Sequence, residues 1–333
     1  MRKILIIFLL IAQVVVAQQK QMTLEDAIIG RYSYLNPEKL EGLSWKNEIT
    51  FTFLKNDTLW AESAKDGEKL PVTNRNELNE IIQPQTQLQL RRFPEYEWEK
   101  NGNLLLHYGP SYVMLNPLEK KVEYTISIPP KAENAVFNEP GKFVAFTMDE
   151  NLYAVFPHGK IVKITGDGGN GIVNGKSVHR NEFGITGGIF NSPKGNYIAF
   201  YRKDESMVKD YPLVDFMTRE AEYTPVKYPM AGMTSHQVKL GVYNISTGKT
   251  VFMKTGKPLD HYLTNIAWSP DEKSIYIAEL NREQNHMQMN CYNAESGVKV
   301  KTLFEETNDR YVEPLYPVVF SKVNENEFYY LTR

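Results

Sequence analysis

Through most of the chain, apolar positions alternate with polar ones over short runs rich in β-branched and aromatic residues. Clusters of Gly, Asn, Asp and Pro separate these runs, and the pattern predicts short strands joined by tight turns. Helical spacing is scarce. The one good candidate is Thr23-Leu24-Glu25-Asp26-Ala27-Ile28-Ile29, where Thr23 and Asp26 have the spacing of a capping box. The fold class expected is all-β, with a short N-terminal helix.

The strand runs recur. An aromatic residue, a turn and an apolar strand appear at Trp45, Trp98, Phe137, Phe190, Trp268 and Phe320, with successive starts 53, 39, 53, 78 and 52 residues apart. The clearest copies are Phe190-Asn191-Ser192-Pro193-Lys194-Gly195-Asn196 before Tyr197-Ile198-Ala199-Phe200, and Trp268-Ser269-Pro270-Asp271 before Ser274-Ile275-Tyr276-Ile277-Ala278. A degraded copy starts at Phe137 and runs through Pro140-Gly141 to Phe146. Pro presets such a turn and Gly or Asp relieves its backbone, so a hairpin follows. A second hairpin is expected at Asn244-Ile245-Ser246-Thr247-Gly248. A four-stranded propeller blade takes about 40 to 50 residues, so the repeat reads as a β-propeller of about five complete blades and a partial sixth, begun at Phe320. A propeller protects its sheet edges by radial closure, and an incomplete larger propeller is the simpler expectation. The long fourth interval carries an insertion, roughly Lys203 to Tyr228, read either as an arm reaching another subunit or as a long surface loop.

Composition adds the compartment. Arg2 and Lys3 precede an apolar stretch, Ile4 to Val16, broken only by Gln13, and Val15-Val16-Ala17 supplies a cleavage site. That stretch suits a signal peptide over residues 1–17 and is short for a membrane span of about 20 residues. The mature chain, residues 18–333, is expected outside the cytoplasm, periplasmic or extracellular. Without Arg2 and Lys3 the charges stand at 36 basic against 40 acidic, with no basic stripe for a nucleic acid. The single cysteine, Cys291, allows no intramolecular disulfide and reads as a buried, unreactive side chain.

Catalytic signatures are missing from the string. Gly166-Asp167-Gly168-Gly169-Asn170-Gly171 fits a dinucleotide fingerprint in letters, but β-type residues flank it where a helix should follow, so it reads as a turn. The Ser269-x-Asp271 turn is read as structural. No Gly-x-Ser-x-Gly elbow occurs, and the six scattered histidines offer no zinc-site spacing. No EF-hand loop, metal site or cofactor is expected. The polar segment Asn174 to Ile185, with His179, Arg180, Asn181 and Glu182 just before a blade start, could hold a cation or pair internally.

These strings resemble the N-terminal domain of the dipeptidyl peptidase IV family, in its bacterial exported branch. The matching runs are Val178-His179-Arg180-Asn181-Glu182-Phe183-Gly184-Ile185, Ala199-Phe200-Tyr201-Arg202-Lys203-Asp204-Glu205-Ser206, Lys227-Tyr228-Pro229-Met230-Ala231-Gly232 and Leu240-Gly241-Val242-Tyr243. The openings Thr23-Leu24-Glu25-Asp26 and Leu43-Ser44-Trp45 also fit. The resemblance implies an eight-bladed propeller over an α/β-hydrolase domain that releases Xaa-Pro or Xaa-Ala dipeptides from free N-termini. It implies that a Glu pair on a short helical segment binds the substrate ammonium. Glu182 matches the second Glu, and Asn181 stands at the first. One carboxylate in a half-buried site offers about 4 kcal/mol of gross attraction at 4 Å with an effective dielectric of 20. The family's Arg for the substrate carbonyl has no match in Leu105-Leu106-His107-Tyr108-Gly109, and Tyr311 is the counterpart of an aromatic pocket wall. The insertion coincides with the family's dimerisation arm.

Two function classes follow. One is the substrate-gating propeller of a serine exopeptidase, with Glu182, Asn181 and Tyr311 as substrate-binding residues and short peptides with a free N-terminus as ligands. In that reading the nucleophile, acid and His belong to an α/β-hydrolase domain that is missing or separately encoded. A second copy of the chain is a further partner. The other class is a noncatalytic exported propeller that binds a protein or peptide.

Overall fold

The computed structural model describes residues 21–37 and 39–332. The expected signal peptide and its cleavage site lie outside the described residues. The chain divides into two compact units, one ending at Val72 and the other beginning at Thr73.

The N-terminal unit opens with helix α1 (Leu24–Ile28). Its capping box is formed: the Thr23 hydroxyl accepts from the Asp26 N–H while the Asp26 carboxylate accepts from the Thr23 N–H. A short 3-10 turn, Gly30–Tyr32, follows. Strands β1 (Glu41–Trp45), β2 (Thr50–Lys55), β3 (Thr58–Ser63) and β4 (Lys69–Asn74) form an antiparallel meander.

The second unit begins with a helix the alternation did not predict, α2 (Arg75–Thr86). Asn74 caps it by accepting from the Asn76 and Glu77 N–H groups, and Leu78 and Ile82 bury one narrow stripe. The polar composition and Pro84 in the last turn disguise it as a loop.

Four sheets then follow in order. The first holds β5 (Glu95–Trp98), β6 (Leu104–Tyr108), β7 (Ser111–Asn116) and β8 (Lys121–Ser127). The second holds β9 (Glu133–Asn138), β10 (Phe143–Met148), β11 (Asn151–Val155) and β12 (Ile161–Lys163). The third is built from β13 (Ile172–Asn174), β14 (Ile189–Asn191), β15 (Tyr197–Asp204), β18 (Gln237–Asn244) and β19 (Lys249–Phe252). Between β15 and β18 a separate hairpin is formed by β16 (Asp210–Asp215) and β17 (Glu222–Lys227). The fourth sheet holds β20 (Tyr262–Trp268), β21 (Ser274–Leu280), β22 (His286–Asn293) and β23 (Lys299–Thr307), and a two-stranded piece, β24 (Val319–Phe320) with β25 (Phe328–Tyr329), ends the described chain. Each of the six aromatic markers lies in the first strand of a sheet or, for Phe190, in β14 beside β15.

These sheets stack face to face in sequence order, as propeller blades do. Phe146 and Val155 of the second sheet pack on Tyr112 and Met114 of the first. Phe143 and Leu152 meet Ile198 and Phe200 of the third. Tyr201 and Leu240 meet Leu263 and Ile277 of the fourth, and Met287 and Met289 meet the segment around Val318. Fully burying one such side chain stabilises by about 1.5–3 kcal/mol, so the second, third and fourth sheets are held on both faces. Cys291 is a buried part of β22.

The Pro- and Asp-based turns also tie neighbouring sheets. Asn138 Nδ2 donates to the Ser192 carbonyl at 3.0 Å. The buried Glu272 carboxylate accepts from the Lys194 N–H at 2.5 Å and from Asn196 Nδ2 at 2.7 Å. The Ser269 hydroxyl donates to Asp271 at 2.6 Å inside its own turn, which is the structural role expected of it. The Gly166–Gly171 stretch is a turn between β12 and β13 with no helix after it.

The insertion is longer than the sequence pattern suggests. Lys203 still pairs with Val238 and Asp204 with Gln237 inside the third sheet, so the excursion runs over residues 205–236. In its hairpin Pro212 stands opposite Pro225. Neither can donate, so this is a non-hydrogen-bonded pair whose missing donors lie on the outer edges of the ribbon.

Candidate functional site

The segment singled out in the sequence does not simply precede a blade; it interrupts a strand. β13 pairs with the far half of β15, through Asn174↔Arg202, and β14 pairs with its near half, through Ile189↔Phe200. The residues between, 175–188, leave the sheet and return to it. Tyr201, in the middle of β15, holds both ends: its carbonyl accepts from the Gly175 N–H at 2.8 Å, and its N–H donates to the Gly188 carbonyl at 3.0 Å. A Cβ on Gly188 would sit 2.2 Å from the Lys176 carbonyl oxygen, so only glycine permits this pinch. The excursion is an Ω-loop with its ends closed by one residue.

Apolar anchors fix the loop. Val178 and Ile185 are buried in the cluster between the third and fourth sheets, Phe183 is buried in the next cluster, and the Thr264 hydroxyl donates to the Phe183 carbonyl. At Gly184, φ is +72° and a Cβ would meet the Leu315 carbonyl oxygen at 2.0 Å. Between these anchors the backbone is left-handed at His179, Arg180 and Asn181 (φ 51°, 56° and 62°) and again at Phe183 (55°). Each such residue costs about 1–2 kcal/mol, and strain of this kind persists only where surrounding packing over-determines it. The short helical segment expected here is thus a left-handed turn.

Its buried residue is His179. The ring lies against Tyr262 (centroids 4.8 Å apart), and its Nδ1 shares a hydrogen bond of 3.0 Å with Nε2 of His236. Burial holds the His179 imidazolium well below its ordinary range, with the charges of His236 and Arg282 adding to the effect. Burial, then Lys203 and Arg282, push His236 down to about 4. Both rings are neutral at neutral pH.

Above this pair lies a cleft of about 450 Å³. Ser177, Arg180 and Glu182 come from the loop, Lys203 and Glu205 from the end of β15 and just beyond, Lys227 and Tyr228 from the insertion, and Tyr262, Arg282 and Gln284 from the fourth sheet and its turn. Most of its charges are engaged. Lys203 meets Glu205 at 2.6 Å and Lys227 meets Asp210 at 3.0 Å. Arg180 lies 4.0 Å over the Tyr228 ring. Arg282 Nη1 and Gln284 Nε2 donate to the Tyr262 hydroxyl at 2.7 and 3.1 Å. Glu182 is different: its exposed carboxylate makes no hydrogen bond or ion pair with any described residue.

Asn181 is adjacent but spent, since its Oδ1 accepts from the Ser177 hydroxyl and closes the turn. Tyr311 is elsewhere: it is exposed and lines a separate groove of about 640 Å³ with Glu305, Arg310 and Glu313. The Leu105–Gly109 stretch also lies outside the cleft; His107 stacks on Tyr112 at 4.4 Å. The structure therefore brings together Glu182 and Asn181 and leaves Tyr311 apart. The sequence reading missed Tyr262, Arg282, Gln284 and His236, because Asn281-Arg282-Glu283-Gln284 reads as an ordinary polar turn and only sheet packing carries it to the loop.

A family model of the dipeptidyl peptidase IV N-terminal region matches residues 100–333. The chain belongs to the dipeptidyl peptidase IV N-terminal-region family. Among solved structures, it is similar to a Bacteroides ovatus protein assigned as a dipeptidyl aminopeptidase IV, with 41% identity and a TM-score of 0.84, over 93% of this chain and 43% of that one. Porphyromonas gingivalis dipeptidyl peptidase 4 shares the fold, with a TM-score of 0.67 at 23% identity, over 91% of this chain and 45% of its own. Among curated relatives, a protein of Phaeosphaeria nodorum assigned as dipeptidyl-aminopeptidase B is 30% identical over 178 residues, 48% of this chain and 20% of the relative. This chain thus spans less than half of those two solved structures, and the matched region is about a fifth of that curated relative.

Proposed function

We propose that this chain is the substrate-receiving part of a dipeptidyl peptidase IV-like serine exopeptidase, and that Glu182 holds the α-ammonium of a peptide with a free N-terminus. Fixing that amine at the cleft mouth sets the register of the bound chain, so that an α/β-hydrolase domain cuts after the second residue, as in Xaa-Pro or Xaa-Ala release. The observation that carries the reading is the unpaired Glu182 carboxylate, presented by a strained and tightly anchored loop at the rim of a peptide-sized cleft. Exposure lowers its strength below the half-buried figure: an exposed ion pair contributes about 0.2–1 kcal/mol, so further contacts must share the work.

In the same reading the protein acts outside the cytoplasm after removal of residues 1–17. Its hairpin presents Leu213, Val214, Phe216 and Met217, all exposed, to a second copy of the chain. The test is calorimetric titration of the purified protein with Ala-Pro-Ala and with its N-acetylated form. Acetylation should abolish binding, and Glu182→Gln should remove the difference between the two peptides. Equal affinity for both would overturn the proposal in favour of a noncatalytic peptide-binding propeller.

A further inference from the structure

The Tyr262 hydroxyl has an unusual hydrogen-bond count. A phenol offers one proton and two lone pairs. Arg282 and Gln284 both donate to the Tyr262 oxygen, which fills the lone pairs. The proton has no acceptor among the described residues, although the side chain is buried on all but its cleft side. A donor left open in this way, on an oxygen polarised by a guanidinium, is aimed at an acceptor that is not part of the chain.

The charge balance of the lining says what kind of acceptor. Lys203 and Glu205 neutralise each other, and Lys227 is taken by Asp210. Arg180 and Arg282 rest on the Tyr228 and Tyr262 rings with no carboxylate partner among the described residues. Glu182 is the one unpaired anion of the lining. An excess positive charge remains at Arg180 and Arg282.

We infer that Tyr262 and Arg282 form a carboxylate-recognising subsite in this cleft, one that holds dipeptides by their C-terminal carboxylate. The Tyr262 hydroxyl donates to one carboxylate oxygen and the free guanidinium nitrogens of Arg282 serve the other. The carboxylate is the C-terminus of a dipeptide, the class of product that cleavage after a second residue releases. Only the accompanying ammonium contact rests on the function proposed above. Tyr262 and Arg282 are specificity residues; they bind and orient the ligand.

The experiment is calorimetric titration of the purified chain with Ala-Ala, its C-terminal amide, and N-acetyl-Ala-Ala and its amide. Ala-Ala should bind at least tenfold more tightly than its amide. Tyr262→Phe, which keeps the ring against His179 and Phe183, should erase the preference for the acid over the amide. Arg282→Met should do the same and stands in if Tyr262→Phe shifts the melting temperature. An acid preference that persists in the N-acetylated pair supports the subsite even if Glu182 binds no ammonium. Equal affinity for acids and amides, an unchanged preference in both variants, or no binding by any peptide would overturn the inference. In the first of these cases, sensitivity to acetylation would leave the amine reading intact.

Discussion

β15 and β18 form a ladder of eight paired residues, and the hairpin that grows out between them, β16 with β17, forms a ladder of six. Both are antiparallel, both carry Tyr and Val, and both have regular register. Yet Ala199, Phe200, Tyr201, Leu240 and Val242 are buried, packed between the second and fourth sheets, whereas every residue of β16 is exposed. The difference teaches that a hydrogen-bond ladder does not by itself secure a strand pair. A typical bond contributes about 1 kcal/mol net, and an isolated two-stranded hairpin is marginal in water. What the third sheet adds is apolar surface removed from water on both faces. What the hairpin keeps is a free apolar surface, with Pro212 and Pro225 blunting both edges against further strand pairing.

The largest expected contrast comes from removing one aromatic ring in each region. Phe200→Ala leaves a cavity between the second and third sheets and should cost about 3–5 kcal/mol in urea unfolding. A loss under 1 kcal/mol would show that these sheets are not packed as described. Acidification probes the same buried side through the loop it supports. His236 binds protons less readily folded than unfolded, so the unfolded chain takes up protons first as pH falls below 6.5. Stability is therefore full above that value and declines until about pH 4, where the folded form also protonates. Each tenfold change in proton affinity is worth about 1.4 kcal/mol, giving a decline of a few kcal/mol. Chemical denaturation across that range should follow it, and His236→Gln should reduce the slope, part of which the buried His179 still supplies. Carboxylates held low by their partners, such as Asp167 and Asp271, act below this window.

Glu272→Gln tests the tie between neighbouring turns. Gln keeps one acceptor oxygen, but its NH2 group cannot accept where the second carboxylate oxygen did, so a loss of about 1–3 kcal/mol is expected. A change within 0.3 kcal/mol would mean that the turn contacts are passive. At the small end, Phe216→Ala in the hairpin should shift unfolding by no more than about 0.5 kcal/mol. If the same substitution dissociates a dimer in sedimentation velocity, the exposed surface has its partner; if the wild type is a monomer at all concentrations, the arm reading fails.

Much of the architecture was legible because blade starts are local chemistry. Ser192-Pro193 before Gly195, and Ser269-Pro270 before Asp271, dictate a turn whatever lies around them. The Thr23–Asp26 box was equally local. The helix Arg75–Thr86 was not, since its apolar stripe is only Leu78 and Ile82 and Pro84 argues against it. Glu182 was legible only through the resemblance, for a lone Glu in a polar loop carries no signal. Tyr311 was drawn to the site by that same resemblance, and the packing leaves it in another groove.

By itself, then, the sequence determined the strands, their turns and their repeat, because propensity, proline and period act within a few residues. Only the tertiary structure decided that residues 175–188 interrupt a strand, that Tyr201 pinches the loop, and that Arg282 and Gln284, in the turn after β21, meet the Tyr262 hydroxyl and the cleft beside the loop. Those outcomes depend on which sheet faces pack together, and burial between distant segments leaves no local mark in the chain.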